Sequence, residues 1–181
     1  MAKKSSGGTP ATVALTKAGV AFTVHPYAHS EGVTSFGEEA AAALGVDPER
    51  IFKTLVVDAG GELVVAVLPV AQQLDLKALA GAAGAKKAVM AEPAAAARSS
   101  GYVVGGISPL GQRTQLRTFV DRSAEDFPTI FVSAGKRGLQ VELAASDLLR
   151  ITGGQLSAWR HDAIRRRRLR RSATEKASVS R

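Results

Sequence analysis

The sequence predicts a mixed α/β fold, a single domain with a mixed, barrel-like β-sheet surrounded by short helices, on three observations. Strand-like runs come in clusters, helical runs are scattered among them instead of alternating strictly with strands, and no internal repeat is present. With 181 residues and 45% apolar content, the chain can bury one core of ordinary size.

The elements follow in order. Thr9-Pro10 offers an N-cap and a first-turn proline for a short helix that Gly19 can end. Val20 to Val24 reads as a strand. Ser35 and Glu38 have capping-box spacing, so a helix is expected through alanines 40 to 43, stopping at Gly45. Asp47-Pro48 turns the chain into a strand from Ile51 to Val57, and Ala59-Gly60-Gly61 joins it to Glu62 to Leu68 as a hairpin. Asp75 can cap a helix closed by Gly84, and Glu92-Pro93 starts another that ends near Ser99-Ser100-Gly101. Tyr102 to Val104, Leu116 to Val120, Thr129 to Val132 and Leu139 to Glu142 read as strands, the last two joined by residues 133 to 138. Ser146 or Asp147 caps a final helix, and Gly153-Gly154 closes the regular structure.

Charge is distributed unevenly. The net charge is +8, yet nine basic residues against Asp162 and Glu175 lie between Arg160 and Arg181, which leaves the body close to neutral. The organisation expected is a flexible N-terminus over 1–8, a folded domain over 9–159 and a basic, disordered tail over 160–181. Arg165, Arg166, Arg167 and Arg168 are the tail's densest cations and its candidate RNA contacts. The basic residues of Met1 to Gly8 have no apolar stretch behind them, so no secretory signal is read there. The longest apolar run, Leu63 to Ala71, is interrupted by Pro69 and falls far short of the ~20 residues a membrane span needs. A cytoplasmic protein with no membrane association is expected.

The chain has no cysteine, which excludes disulfides, thiolate zinc sites and an enzyme-borne thiol nucleophile. His25 and His29 are four apart, but Pro26 breaks the helical face a metal pair would need, and no third ligand is evident. No metal is expected. A triad assembled from Ser108, His29 and a carboxylate lacks a nucleophile-elbow sequence.

Two local features remain as candidate chemistry. In the strand from Ile51 to Val57, Lys53 shares a face with Leu55 and Val57, while Thr54 shares the other with Phe52 and Val56. Both faces begin polar and become apolar, as in a strand entering a core from the mouth of a pocket. A solvated lysine at a strand end fits the spacing as well. The second feature is Gly105-Gly106-Ile107-Ser108-Pro109, whose glycines let backbone approach a ligand and whose amides could hold a developing oxyanion. An ordinary turn reads the same way. Lys136 and Arg137, within Gly135-Lys136-Arg137-Gly138, are a candidate phosphate contact or a plain basic hairpin turn.

These features recur together in one family. Lys53-Thr54-Leu55, then Pro69-Val70-Ala71 with Gln73-Leu74-Asp75-Leu76-Lys77, then Gly84-Ala85-Lys86-Lys87, occur in the order seen in YbaK-type proteins. The run from Arg98 to Gly111, and Ser133 to Leu139 with Glu142-Leu143, continue the match, so the sequence resembles this prolyl-tRNA editing family over about Thr9 to Ile151.

The resemblance implies a free-standing aminoacyl-tRNA deacylase that removes cysteine from Cys-tRNA(Pro), with no cofactor. Aminoacyl-tRNA is then the partner, prolyl-tRNA synthetase is a candidate second one, and no oligomeric state is implied. Such editing is needed because a pocket separates near-isosteres such as cysteine and proline poorly. By resemblance, activity depends most on Lys53, with Gly105 and Gly106 in the catalytic loop. Tyr27, Phe36, Thr54, Ile107, Ser108 and Pro109 match positions around the aminoacyl pocket. The implied mechanism borrows the substrate's own thiol as nucleophile. Two departures stand out: Gln140 where many relatives carry an acidic residue, and the arginine tail. Two competing readings stay open, a deacylase for alanine or serine on tRNA(Pro) and a noncatalytic RNA-binding module.

Overall fold

The computed structural model describes residues 8–158. The expected tail, with Arg165 to Arg168, and residues 1–7 of the N-terminal segment lie outside the described residues.

The central hairpin forms where the glycine turn places it. β2 (Phe52–Ala59) and β3 (Glu62–Pro69) pair antiparallel from Phe52↔Pro69 to Ala59↔Glu62, with Gly60 and Gly61 between them. Their sheet has five strands in the order β4-β2-β3-β5-β8, where β4 is Ala88–Met90, β5 is Arg117–Asp121 and β8 is Gln155–Ser157. β4 joins β2 antiparallel, whereas β3–β5 and β5–β8 are parallel, so the sheet is mixed. A second, antiparallel sheet has the order β1-β7-β6, built from β1 (Thr23–Pro26), β6 (Ile130–Lys136) and β7 (Leu139–Leu143). The two sheets meet at a bridge between Ile51 and Phe131, reinforced by the Phe131 N–H donating to the Arg50 carbonyl at 3.1 Å.

Burial on both faces explains the unbroken apolar run of β3. Val65 and Val67 face the space between the sheets and pack with Phe52, Val120, Ile130, Val132, Val141 and Leu143. Val64, Ala66 and Leu68 face the other way, against Phe119 and Leu79 of α3 (Leu76–Ala83). Truncating a side chain as deep as Phe52 costs about 3–5 kcal/mol in well-packed cores. Three further helices close the body: α1 (Pro10–Lys17) lays Ala11 and Leu15 on the inter-sheet core, α4 (Pro93–Ser100) precedes the glycine loop, and α5 (Ala145–Thr152) follows β7. α2 (Phe36–Leu44) packs Ala40 and Ala41 against Ile51, Val70 and Phe131.

Several local expectations are corrected. The first strand covers Thr23–Pro26, because Val20 is already spent as a core residue after α1. Tyr102 to Val104 is a turn: the Tyr102 ring is buried and its hydroxyl donates to the Leu110 carbonyl at 2.6 Å, which bends the chain and leaves Val103 and Val104 exposed. α2 starts after Ser35 without a side-chain capping bond. Its Glu39, instead of Glu38, reaches back, accepting from the Ser30 N–H at 2.7 Å. α5 is entered from Ala144, so Ser146 and Asp147 sit inside its first turn. Gly153 ends that helix in the left-handed region, and β8 follows it on β5. β4 and β8 are three-residue edge strands with no periodicity to reveal them.

Candidate active site

A cavity of about 720 Å³ opens where the hairpin, α2, α4 and the glycine loop converge. Ile51 and β2 from Phe52 to Val56 supply its floor, the first turn of α2 supplies one wall through Phe36, Gly37 and Glu38, and Val104, Gly105 and Ile107 supply another. Met90 to Pro93 form the rim beyond β4, and Ser133 and Gln140 reach in from the second sheet. α2 lies close to β3 because Gly37 has no side chain; a Cβ there would stand 2.2 Å from Val70 Cγ1.

Lys53 is the cation of this cavity floor. It is half-buried on β2, its ammonium donates to the Gln72 main-chain carbonyl, and burial holds its pKa below the ordinary lysine value while Glu38 pulls the other way. Thr54 follows it on the floor. Its Oγ1 is buried and has no hydrogen-bond partner among the described residues, and the same holds for Gln140 Oε1 on β7. Both residues line the cavity, and leaving such a buried group unmet costs about 1–3 kcal/mol.

The glycine loop has a defined geometry. Gly105 sits at φ +89° against the Phe36 ring, where a Cβ would lie 2.6 Å from Cε2. Gly106 is buried against the hairpin between β6 and β7, with 3.0 Å available to the Lys136 backbone, and its N–H donates to the Val103 carbonyl at 3.0 Å. The Gly106 N–H is thus spent on Val103, whereas those of Gly105, Ile107 and Ser108 make no hydrogen bond among the described residues, and of these three residues Gly105 and Ile107 line the cavity. Arg137 lies over the Phe36 ring at 4.8 Å and donates from Nε and Nη2 to the Val104 carbonyl at 3.2 and 2.7 Å.

Lys53, Thr54, Phe36, Gly105 and Ile107 are thus brought together around the cavity. Ser108 and Pro109 are buried beside it, outside its lining, and Ser108 Oγ accepts from the Leu110 N–H at 3.2 Å. Tyr27 packs on the cluster of Ile51, Val70 and Phe131, also outside the lining. Lys136 and Arg137 stand exposed at the hairpin tip. His29 is committed elsewhere: its Nδ1 is 2.7 Å from Glu39, whose carboxyl is held below its usual pKa mainly by that bond and then by the Ser30 N–H. Ser108 and His29 are therefore each engaged outside any triad. Among the described residues no group of three or more metal-ligating side chains occurs, and no helix is long and apolar enough to cross a membrane. Glu38, Gly37 and Ser133 join the site without a sequence signal beyond the capping-box spacing of Glu38.

The aminoacyl-tRNA editing domain model matches residues 29–151, which include every described element of this cavity. EbsC of Enterococcus faecalis, to which a Cys-tRNA(Pro)/Cys-tRNA(Cys) deacylase activity is ascribed, is 41% identical over 157 residues, 86% of this chain and 94% of that protein. The multifunctional Ser/Thr-tRNA deacylase ProXp-y of Escherichia coli K12 is 29% identical over 90% of this chain and 98% of its own length. In three dimensions the fold is similar to a crystal structure described as a candidate trans-editing enzyme for prolyl-tRNA synthetase, with a TM-score of 0.72 and 23% identity over 83% of this chain and 94% of that one. With the motifs, the fold and the cavity in agreement, the chain belongs to the aminoacyl-tRNA editing domain family, the YbaK family.

Proposed function

We propose that this aminoacyl-tRNA deacylase acts in trans on mischarged Cys-tRNA(Pro) and uses the cysteine thiol of the substrate as its nucleophile. The observation that carries the reading is a cavity that gathers a half-buried cation and the loop amides of Gly105 and Ile107, in a sequence that contains no cysteine.

The chemistry then divides between enzyme and substrate. The substrate sulfur attacks its own ester carbonyl, the N–H groups of Gly105 and Ile107 receive the developing oxyanion, and Lys53 orients the ester and offsets negative charge. The carbon–oxygen bond to the ribose breaks, that oxygen takes up a proton, the thiol gives one up, and the resulting thiolactone opens with water to free cysteine. The name of EbsC favours cysteine, whereas that of ProXp-y supports serine or threonine as a second reading. Incubating catalytic amounts of protein with Cys-tRNA(Pro) and Pro-tRNA(Pro) tests the assignment: cysteine is released and proline is spared. Stable Cys-tRNA(Pro) contradicts it.

The basic tail supplies sequence-blind attraction to RNA in this account. Deleting Arg160 to Arg181 is expected to weaken tRNA binding at low salt and to flatten its salt dependence, since each duplex phosphate contact adds about 0.9 to the slope of log K against log salt. The deacylation rate at saturation survives the deletion. Fluorescence titration of tRNA at several salt concentrations reads both effects, and an unchanged slope removes the tail from RNA binding.

A further inference from the structure

The basic hairpin tip does more than face solvent. Its position is fixed from one side by the residue that follows β1, where the Tyr27 N–H donates to the Gly138 carbonyl at 2.9 Å. From that anchored tip Arg137 reaches across 33 residues of sequence to the Val104 carbonyl, through two donors, while its guanidinium lies over Phe36 at 4.8 Å. Phe36 is also the ring on which Gly105 rests. One planar group therefore ties together the first turn of α2, the hairpin tip and the peptide group that carries the Gly105 N–H.

The loop has little else at that point. Val103 and Val104 are 59% and 44% exposed, so they contribute few apolar contacts, and the Gly106 N–H bond to Val103 is internal to the turn. The planar fork of arginine can hold one carbonyl with two donors and stack on a ring at the same time, which a lysine ammonium cannot reproduce.

We propose that Arg137 is a positioning residue for deacylation, setting through the Val104 carbonyl and the Phe36 ring where the Gly105 and Ile107 N–H groups stand. This rests on the reading of the cavity as a deacylase site. The alternative role for an exposed arginine at a hairpin tip is a tRNA phosphate contact, and the two make opposite demands on kinetics. A phosphate contact is kept in part by Arg137→Lys and acts on binding. A positioning clamp is lost in Arg137→Lys as in Arg137→Ala and acts on the bound complex.

Single-turnover deacylation of Cys-tRNA(Pro), measured against enzyme concentration, separates these. Both variants are expected to lose about 10- to 100-fold in the rate at saturation, as small misplacements of catalytic donors do, with half-saturation within about twofold of the parent and the salt slope unchanged. Full saturating rate in Arg137→Lys, or a loss confined to half-saturation and salt slope, overturns the proposal. Phe36→Leu gives a second line, a double-mutant cycle with Arg137→Lys, each variant first checked for its fold by circular dichroism. It removes the ring under the guanidinium, and its loss combined with Arg137→Lys is expected to be clearly less than additive, because both act through one loop. Full additivity overturns the clamp. The unmodified protein is assayed in parallel, so absence of any deacylation is charged to the function reading and not to Arg137.

Discussion

Lys53→Ala is expected to lower the saturating deacylation rate by about 100- to 1000-fold while leaving the fold intact, the scale of loss when one electrostatic stabiliser of a developing charge is removed. The physical ground is the unfavourable setting of this lysine. Half-burial favours its neutral form, so the folded pKa lies below the unfolded one. The sign of the linkage follows: between those two values the unfolded chain binds the extra proton, and stability rises with pH through that window. Below that window the charged Lys53 is therefore a cost to the fold. Lys53→Met should melt at or above the parent temperature while being inactive, and the parent's rate should fall, as pH rises, earlier than an ordinary lysine would allow. A variant that unfolds, or one that is folded and fully active, contradicts the assignment; calorimetry beside the rate measurement distinguishes them.

Gly105→Ala has the second largest expected effect, about 100-fold in the same assay. Two constraints meet at this residue, a φ of +89° that side chains rarely adopt and a Cβ position only 2.6 Å from the Phe36 ring. The loop must shift, and the Gly105 and Ile107 N–H groups shift with it. Gly106→Ala tests the contrast. Its Cβ meets the Lys136 backbone at 3.0 Å, which has less freedom to yield than a side chain, so lost thermal stability accompanies its lost activity. For Gly105→Ala the loss is mainly in rate.

What the sequence discloses is what is local. Gly60-Gly61 between two apolar runs sets the central hairpin, and the polar start of both faces of β2 reads equally as a pocket mouth or a solvated strand end; that Lys53 and Thr54 line a cavity is visible only in the fold. β4 and β8 escape such reading because each is three residues long and exists through pairing with a strand distant in sequence. Tyr102 to Val104 has strand-forming side chains, yet the buried Tyr102 hydroxyl, with its pKa pushed up to about 12 by burial, binds Leu110 and turns the chain. The same limit applies to the site. Ser108 looks like a loop hydroxyl open to substrate until its bond to Leu110 is seen. The arginine of the hairpin tip reads as a surface cation until its contacts with Val104 and Phe36 place it beside the loop. Orphaned atoms such as Thr54 Oγ1 and Gln140 Oε1 exist only as relations between strands of the two sheets.

The central claim is that the nucleophile comes from the substrate, and comparing cysteine with serine on one tRNA body tests it most directly. The two side chains differ in one atom, so a binding pocket alone distinguishes them weakly. A thiol, with its pKa near 8.5, supplies a few per cent of thiolate at neutral pH, whereas a hydroxyl supplies essentially none. Single-turnover rates at saturating protein are therefore predicted to be more than about 100-fold faster for Cys-tRNA(Pro) than for Ser-tRNA(Pro), part of the thiol's advantage being offset by the four-membered ring it closes. Equal rates would contradict the thiol mechanism and assign the attack to water.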